Sequence, residues 1–249
     1  MSNFEKLEKH LVYQPKVDLN TLEIVGLEAL IRFTDQESLT ILNTEKVINE
    51  IDSVDEMAEL SKYVLSSVIS DMKKLEELNC EINISINISS KEICNTNLFN
   101  WLVELSQGYK KYVNMIEIEI TEKHEVKNTE LMRGRIFLLR DLGFTISLDD
   151  LGAGFNQIDT IQQYEVDLIK VDKSMVRNFK DRNEELRYIS NISRKRNVKL
   201  LIEGIESEID LQRFLDLGFE FGQGYYFYEP MKLSQILDGT SLLKSSSRS

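Results

Sequence analysis

Short apolar runs alternate with longer amphipathic ones along this chain. The short runs are rich in Ile, Val, Leu and Phe. They predict strands over residues 11–17, 22–31, 81–87, 115–121, 144–149, 168–171, 198–202 and 219–221. The longer runs predict helices over residues 55–78, 98–107, 131–142, 184–196 and 209–217. The plainest is the first, where Met57, Leu60, Val64, Leu65, Val68, Ile69, Met72 and Leu75 recur at steps of three and four, one face of a 3.6-residue period. Ser53-Val54-Asp55-Glu56 before it has the capping-box pattern, and Gly143 and Gly218 follow the last apolar residue of their helices as terminating glycines.

After the first two strands, strand and helix alternate, which predicts βα units and a parallel sheet. The connection Asp18-Leu19-Asn20-Thr21 is too short for a helical crossover, so the first pair reads as an antiparallel hairpin. The fold expected is α/β: one (β/α)₈, TIM-like barrel with a single antiparallel strand near the N-terminus. A length of 249 residues suits one such barrel, which typically needs about 250. The domain is expected over residues 1–243, with a disordered polar tail at 244–249.

Composition narrows the function. A 42% hydrophobic, 29% charged chain has apolar material for a core, and its net charge of −12 repels long nucleic acid. Arg194-Lys195-Arg196 lies in a helical pattern and reads as a solvated face. Cys80 and Cys94 form no CxxC pair, so neither a disulfide framework nor a cysteine zinc site is expected. The N-terminus lacks an apolar signal core and no apolar run approaches a membrane span, which predicts a cytoplasmic protein with no membrane partner. His10 and His124 are too few for a histidine-based metal cluster.

The candidate chemistry lies at the strand ends. Glu28 lies in the second strand, Asn87 ends the third, and Glu119 and Glu122 end the fourth. Asp149 and Asp150 end the fifth, Lys170 and Asp172 the sixth, Glu203 and Glu206 follow the seventh, and Gln223 follows the eighth. In a parallel barrel the strand C-termini open on one face, where such enzymes keep their sites. Carboxylates converging there need cations among them. An all-oxygen donor set suits Mg²⁺ or Mn²⁺, and the Asp149-Asp150 pair can serve two ions, one carboxylate bridging. Lys170, the one cation of the set, would orient a water or neutralise phosphate charge. Glu117 shares a strand face with Glu119 and is an alternative ligand by pattern alone.

Several segments together resemble the EAL domain family. They are Tyr13-Gln14-Pro15-Lys16-Val17-Asp18, Gly26-Leu27-Glu28-Ala29-Leu30-Ile31-Arg32-Phe33, Ile86-Asn87-Ile88-Ser89, Glu119-Ile120-Thr121-Glu122, Asp149-Asp150-Leu151-Gly152-Ala153-Gly154-Phe155, Ile169-Lys170-Val171-Asp172, Glu203-Gly204-Ile205-Glu206 and Gly222-Gln223-Gly224-Tyr225. They occur in family order over about residues 10 to 240.

The resemblance implies a phosphodiesterase that opens cyclic di-GMP to linear pGpG with two Mg²⁺ or Mn²⁺ ions. By the same resemblance Glu28, Asn87, Glu119 and Asp149 hold the first ion, and Asp149, Asp150 and Glu203 the second. Glu203 is also the candidate general base, and Lys170 holds the catalytic water. Gln14 and Arg32 contact the nucleotide, and Gln223 lines the phosphate and water site. Glu122 anchors the loop after the fifth strand, and a homodimer forms near that loop. The chain departs from the family pattern at Phe33 (usually Trp), Ala153 (usually Thr), Ile202 (frequently Ala) and Ser207 (for Thr), and none of these removes a ligand. A cyclic di-GMP receptor without activity is the alternative. Such receptors lack part of the metal set, whereas every position of that set here carries a suitable side chain.

Overall fold

The computed structural model describes residues 7–121, 128–152 and 163–238. Among them, eight strands close into a barrel in sequence order: β1 (Leu7–Asp18), β2 (Ile24–Asp35), β3 (Asn83–Ser89), β4 (Ile116–Thr121), β5 (Thr145–Leu151), β6 (Leu168–Val171), β7 (Lys199–Glu203) and β8 (Phe221–Gln223). β1 runs antiparallel to both neighbours, β2 and β8, and every other pairing is parallel. This is the expected barrel with its one reversed strand. The reversal comes from the turn after β1. Asp18 accepts the Asn20 and Thr21 backbone N–H groups on its side chain, and Leu22 sits at φ 59°. Leu22 therefore belongs to the turn, and the second strand starts at Ile24 rather than at residue 22.

The predicted helices are α2 (Val54–Glu77), α4 (Thr96–Gly108), α6 (Thr129–Asp141), α8 (Phe179–Arg196) and α9 (Glu208–Leu217). Ser53 caps α2 by accepting from the Glu56 N–H, and α2 buries Leu60, Val64, Leu65, Val68, Ile69, Met72 and Leu75 as its period requires. Met57, expected in that stripe, is only partly buried and, with Leu60 and Val64, lines a cavity at the top of the barrel. Among the described residues, five shorter helices carry too few apolar repeats to be legible: α1 (Thr44–Asn49), α3 (Ser90–Ile93), α5 (Lys110–Val113), α7 (Lys173–Arg177) and α10 (Leu233–Asp238). Arg194, Lys195 and Arg196 form the exposed last turn of α8, where cations favour the helix C-terminus.

β3 and β4 alternate strictly. In β3 and β4, Ile84, Ile86, Ile88, Ile116, Ile118 and Ile120 are all fully buried, while Ser85, Asn87, Glu117 and Glu119 occupy the other face. Side chains from strands that are not neighbours meet on that second face. Lys16 of β1 reaches Glu117 and Glu119 of β4, and Lys170 of β6 reaches Glu119 and Glu28 of β2. Such contacts can only cross the lumen. The isoleucines therefore face the helices, and towards its C-terminal mouth the barrel interior carries ions where this fold usually carries branched aliphatics.

Backbones approach closely where β8 ends. A Cβ added to Gly224 would lie 2.1 Å from the Ile205 carbonyl oxygen and 2.5 Å from the Ile205 nitrogen. Backbone atoms cannot yield as a flexible side chain would. Gly224→Ala is expected to cost at least about 3 kcal/mol, the upper end of overpacking penalties. Gly108→Ala, with nothing within 4 Å, should melt as the parent does. Thermal denaturation of the two variants side by side checks this, and equal melting points would contradict the close approach.

Candidate active site

At the C-terminal mouth the lumen holds a buried ion cluster centred on Lys170. This side chain is fully buried, and its Nζ lies 2.6 Å from Glu119 Oε2, 2.8 Å from Glu203 Oε1, 3.0 Å from Asp149 Oδ1 and 3.7 Å from Glu28 Oε2. These acids come from β4, β7, β5 and β2, so one ammonium ties four strands together. Burial disfavours its charge, but Asp149, Glu119 and Glu203 outweigh burial and raise its pKa well above the ordinary value.

Asp149 and Asp150 are consecutive, and in a regular strand they would face opposite sides. Two features bring them together. The register with β6 slips between Leu148 and Leu151, and Asp150 adopts φ 57°, the left-handed region that Asp tolerates better than most residues. As a result Asp149, Asp150 and Glu203 offer ligand oxygens that all lie within 4.8 Å of one another.

Glu28 occupies the neighbouring corner. Its Oε1 accepts from Asn87 Nδ2 at 2.8 Å and its Oε2 from Gln223 Nε2 at 2.8 Å. The same Gln223 nitrogen donates to Gln14 Oε1 at 3.1 Å, and Gln14 donates on to the Tyr228 carbonyl. Gln223 Oε1 is buried without a hydrogen-bond partner, an acceptor suited to a water. Strand register supports this grouping, since Gln14 pairs with Glu28, Asn87 with Glu119, and Glu203 with Gln223.

The acids differ in how readily they hold charge. Burial pushes Asp149 up to about 8, with Lys170 opposing and Glu203 and Glu119 adding to the rise. Burial likewise lifts Glu28 to about 6, and Glu203 to about 6 against the pull of Lys170. Glu119 behaves oppositely: burial works against its charge, but Lys16 and then Lys170 outweigh it and hold the carboxyl at about 2. With every acid ionised, as cation binding would favour, Glu28, Glu117, Glu119, Asp149, Asp150 and Glu203 set six carboxylates against the two ammonium groups of Lys16 and Lys170. Two divalent cations would neutralise an excess of that size. The oxygen-only donor set also fits Mg²⁺ or Mn²⁺.

Beside the cluster lies a cavity of about 430 Å³, lined by Arg32, Asn87, Asp149 and Asp150 on its polar side and by Met57 and Ile51 among its apolar walls. Arg32 is half-buried there, its Nη1 donating to the Ile31 carbonyl.

Of the residues proposed from sequence, Gln14, Glu28, Asn87, Glu119, Asp149, Asp150, Lys170, Glu203 and Gln223 are brought together, and Arg32 borders the same mouth. Glu122 and Ala153 lie outside the described residues. Asp172 serves the backbone instead, its side chain accepting the Ser174 N–H and capping α7. Glu206 is exposed, 3.8 Å from Arg177. Phe33 is fully buried in the apolar core. Sequence reasoning gave Lys16 no role and left Glu117 only as an alternative to Glu119. The two form a deeper layer, Lys16 Nζ lying 2.9 Å from Glu117 and 2.7 Å from Glu119. The legible signal was the alternation of Ile-Glu-Ile-Glu-Ile-Thr in β4, which puts both glutamates in the lumen, where each needs a cation.

The EAL domain family model matches residues 2–230. The chain belongs to the EAL domain family. Two similar proteins are cyclic di-GMP phosphodiesterases of Pseudomonas aeruginosa. One is 25% identical over 92% of this chain, the other, RocR, 25% identical over 91%. The chain spans 39% and 58% of their respective lengths. Among solved structures, an EAL domain protein from Listeria monocytogenes superposes with a TM-score of 0.82 at 26% identity, covering 94% of this chain and 93% of that one. Among the described residues of this EAL domain, no helix is long and apolar enough to cross a membrane.

The charge imbalance makes a direct prediction. Mg²⁺ or Mn²⁺ at a hundredfold excess over its Kd should stabilise the fold by about 2.7 kcal/mol, and a chelator should remove that gain. Asp149→Asn, which weakens the Asp149-Asp150-Glu203 group, should lose most of it. A melting temperature indifferent to both ion and chelator would count against a cation site here.

Proposed function

We propose that this chain is a metal-dependent phosphodiesterase that hydrolyses cyclic di-GMP to linear pGpG. The observation that carries the reading is the Lys170 ammonium, buried between Glu203, Asp149, Glu119 and Glu28 at the barrel mouth, beside the convergent carboxylates of Asp149, Asp150 and Glu203. The substrate is proposed from the EAL domain relatives that carry the name cyclic di-GMP phosphodiesterase.

Glu28, Asn87, Glu119 and Asp149 would hold one divalent ion, and Asp149, Asp150 and Glu203 the other. When bound, such ions ease deprotonation of a water and neutralise charge on phosphoryl oxygens. The residues do the rest. Lys170 and Glu203 are 2.8 Å apart and address the same spot at the mouth. Lys170 donates to the attacking water and fixes its direction, and Glu203 takes its proton. The water oxygen bonds to phosphorus, the bond from phosphorus to O3′ breaks, the O3′ alkoxide takes a proton from solvent, and Glu203 returns the water's proton to solvent. Arg32 on the cavity rim offers a planar donor fork to phosphate or base, and Gln14 and Gln223 hold Glu28 in place. The decisive experiment is incubation with cyclic di-GMP in Mg²⁺ or Mn²⁺ and identification of the product by chromatography. Release of pGpG supports the reading. Tight binding without turnover favours the receptor alternative, and neither binding nor turnover removes the substrate assignment. Ca²⁺, larger and tolerant of irregular coordination, should permit binding but not turnover.

Two variants separate the roles. Lys170→Ala keeps every carboxylate, so metal binding should survive while kcat falls by two or more decades, on the order of 3 kcal/mol of transition-state stabilisation. Glu28→Ala removes a ligand, so metal affinity and activity should fall together. Calorimetric titration in Ca²⁺ and turnover in Mg²⁺ distinguish them. Parental turnover in Lys170→Ala would remove the lysine from the mechanism.

A further inference from the structure

Lys16 of β1 and Glu117 of β4 are buried, charged, and take no part in the reaction just described. Lys16 Nζ donates 2.9 Å to Glu117 Oε2 and 2.7 Å to Glu119 Oε1. The other Glu119 oxygen accepts from Lys170 at 2.6 Å. Glu119 is therefore held by two ammonium groups, one reaching in from β1 and one from β6. Lys170 in turn is shared between Glu119 in the wall of the lumen and Glu203 and Asp149 at the mouth, at 2.8 and 3.0 Å. Its position is a balance of these attractions, and Lys16 sets one side of that balance. With Lys16 in place, Glu117 and one oxygen of Glu119 are already partnered, so Lys170 is free to sit level with the mouth. Without it, two buried glutamates would compete for the one remaining ammonium and draw it inward.

We infer that Lys16 is a positioning residue: by partnering Glu117 and fixing Glu119 it keeps the Lys170 ammonium beside Glu203 and Asp149. The inference rests on the proposed function for what Lys170 does at that place, and on the ion-pair geometry alone for where Lys170 sits. A lysine that only balances charge would be dispensable once its partner is neutralised. A lysine that positions Glu119 would not.

The test uses Lys16→Met and the double variant Lys16→Met with Glu117→Gln, which removes the deep charge pair from both sides and avoids leaving Glu117 buried and charged. Protein labelled with ¹⁵N at the lysine Nζ reports the Lys170 ammonium by NMR, assigned through its loss in Lys170→Met. The double variant should melt near the parent, yet its Lys170 resonance should shift or vanish through exchange. Its kcat should fall roughly 10- to 100-fold, as a misplacement of about 1 Å can cause, with KM within about threefold. An unshifted Lys170 resonance overturns the inference whatever the turnover. A double variant that fails to fold also overturns it and leaves Lys16 a framework role, and a shifted resonance with parental kcat supports the positioning but overturns its catalytic consequence. If the parent itself yields no pGpG, the functional reading fails, and the resonance still decides whether Lys16 positions Lys170.

Discussion

A single ammonium group organises the interior of this barrel. Lys170 is fully buried and lies within 4 Å of carboxylates from four different strands. Removing an ion from water costs several kcal/mol even after relaxation, so such a group persists only where good geometry compensates it. Here compensation overshoots: more acids surround the lysines than they can neutralise. The strands hold the acids in place, and the residual negative charge makes the mouth receptive to cations. Structure and chemistry are therefore one constraint. The contacts that make the lumen tolerable for Lys170 also leave it short of positive charge.

Backbone irregularity completes what the side chains begin. A regular β5 would send Asp149 into the lumen and Asp150 toward the helices. The slipped register and the left-handed backbone at Asp150 turn the second carboxylate to the mouth as well. Non-glycine residues in this region carry a modest conformational cost, and they recur where function requires an otherwise unavailable direction. Gly224 does related work on the far side. Lacking a Cβ, it lets β8 close against the Ile205 backbone, and Gln223, one residue earlier, can then reach both Gln14 and Glu28.

Much of this arrangement is legible in the amino-acid sequence. The strand and helix periods, the short turn after β1 and the procession of acids at strand ends point to a barrel and to one of its faces. The positions carrying the family motifs meet there: Glu28 with Asn87 and Gln223, Asp149 with Asp150 and Glu203. What is not legible is local or relational. The four-residue helix Ser90–Ile93 has too few residues to display a period. Asp172 reads as one more strand-end acid, yet a residue just after a strand and just before a helix is also where an N-cap belongs, and that is what it is. Lys16 lies inside a family motif without an evident role because its partners, Glu117 and Glu119, are about a hundred residues away, and only barrel closure brings them together.

The division of labour between the two strand faces explains how so much charge can be buried. Each fully buried isoleucine contributes about 1.5–3 kcal/mol through loss of apolar surface from water. The outward faces of β3, β4, β5, β6 and β7 supply these in rows, Ile84 through Ile88, Ile116 through Ile120, then Ile146, Ile169 and Ile202. That stabilisation depends on helix packing and not on the lumen. The inward face is thereby released from the usual demand for aliphatic packing and can carry groups chosen for charge. The alternation Ile-Glu-Ile-Glu-Ile-Thr in β4 is this arrangement written in six residues: stability on one face, chemistry on the other. A change on the isoleucine face should therefore act on folding and reach the site only through the strand itself. A change in the lumen acts first on where Lys170 and the carboxylates sit, because there the structure is held by charges that can redistribute among several partners rather than by packed shapes that cannot.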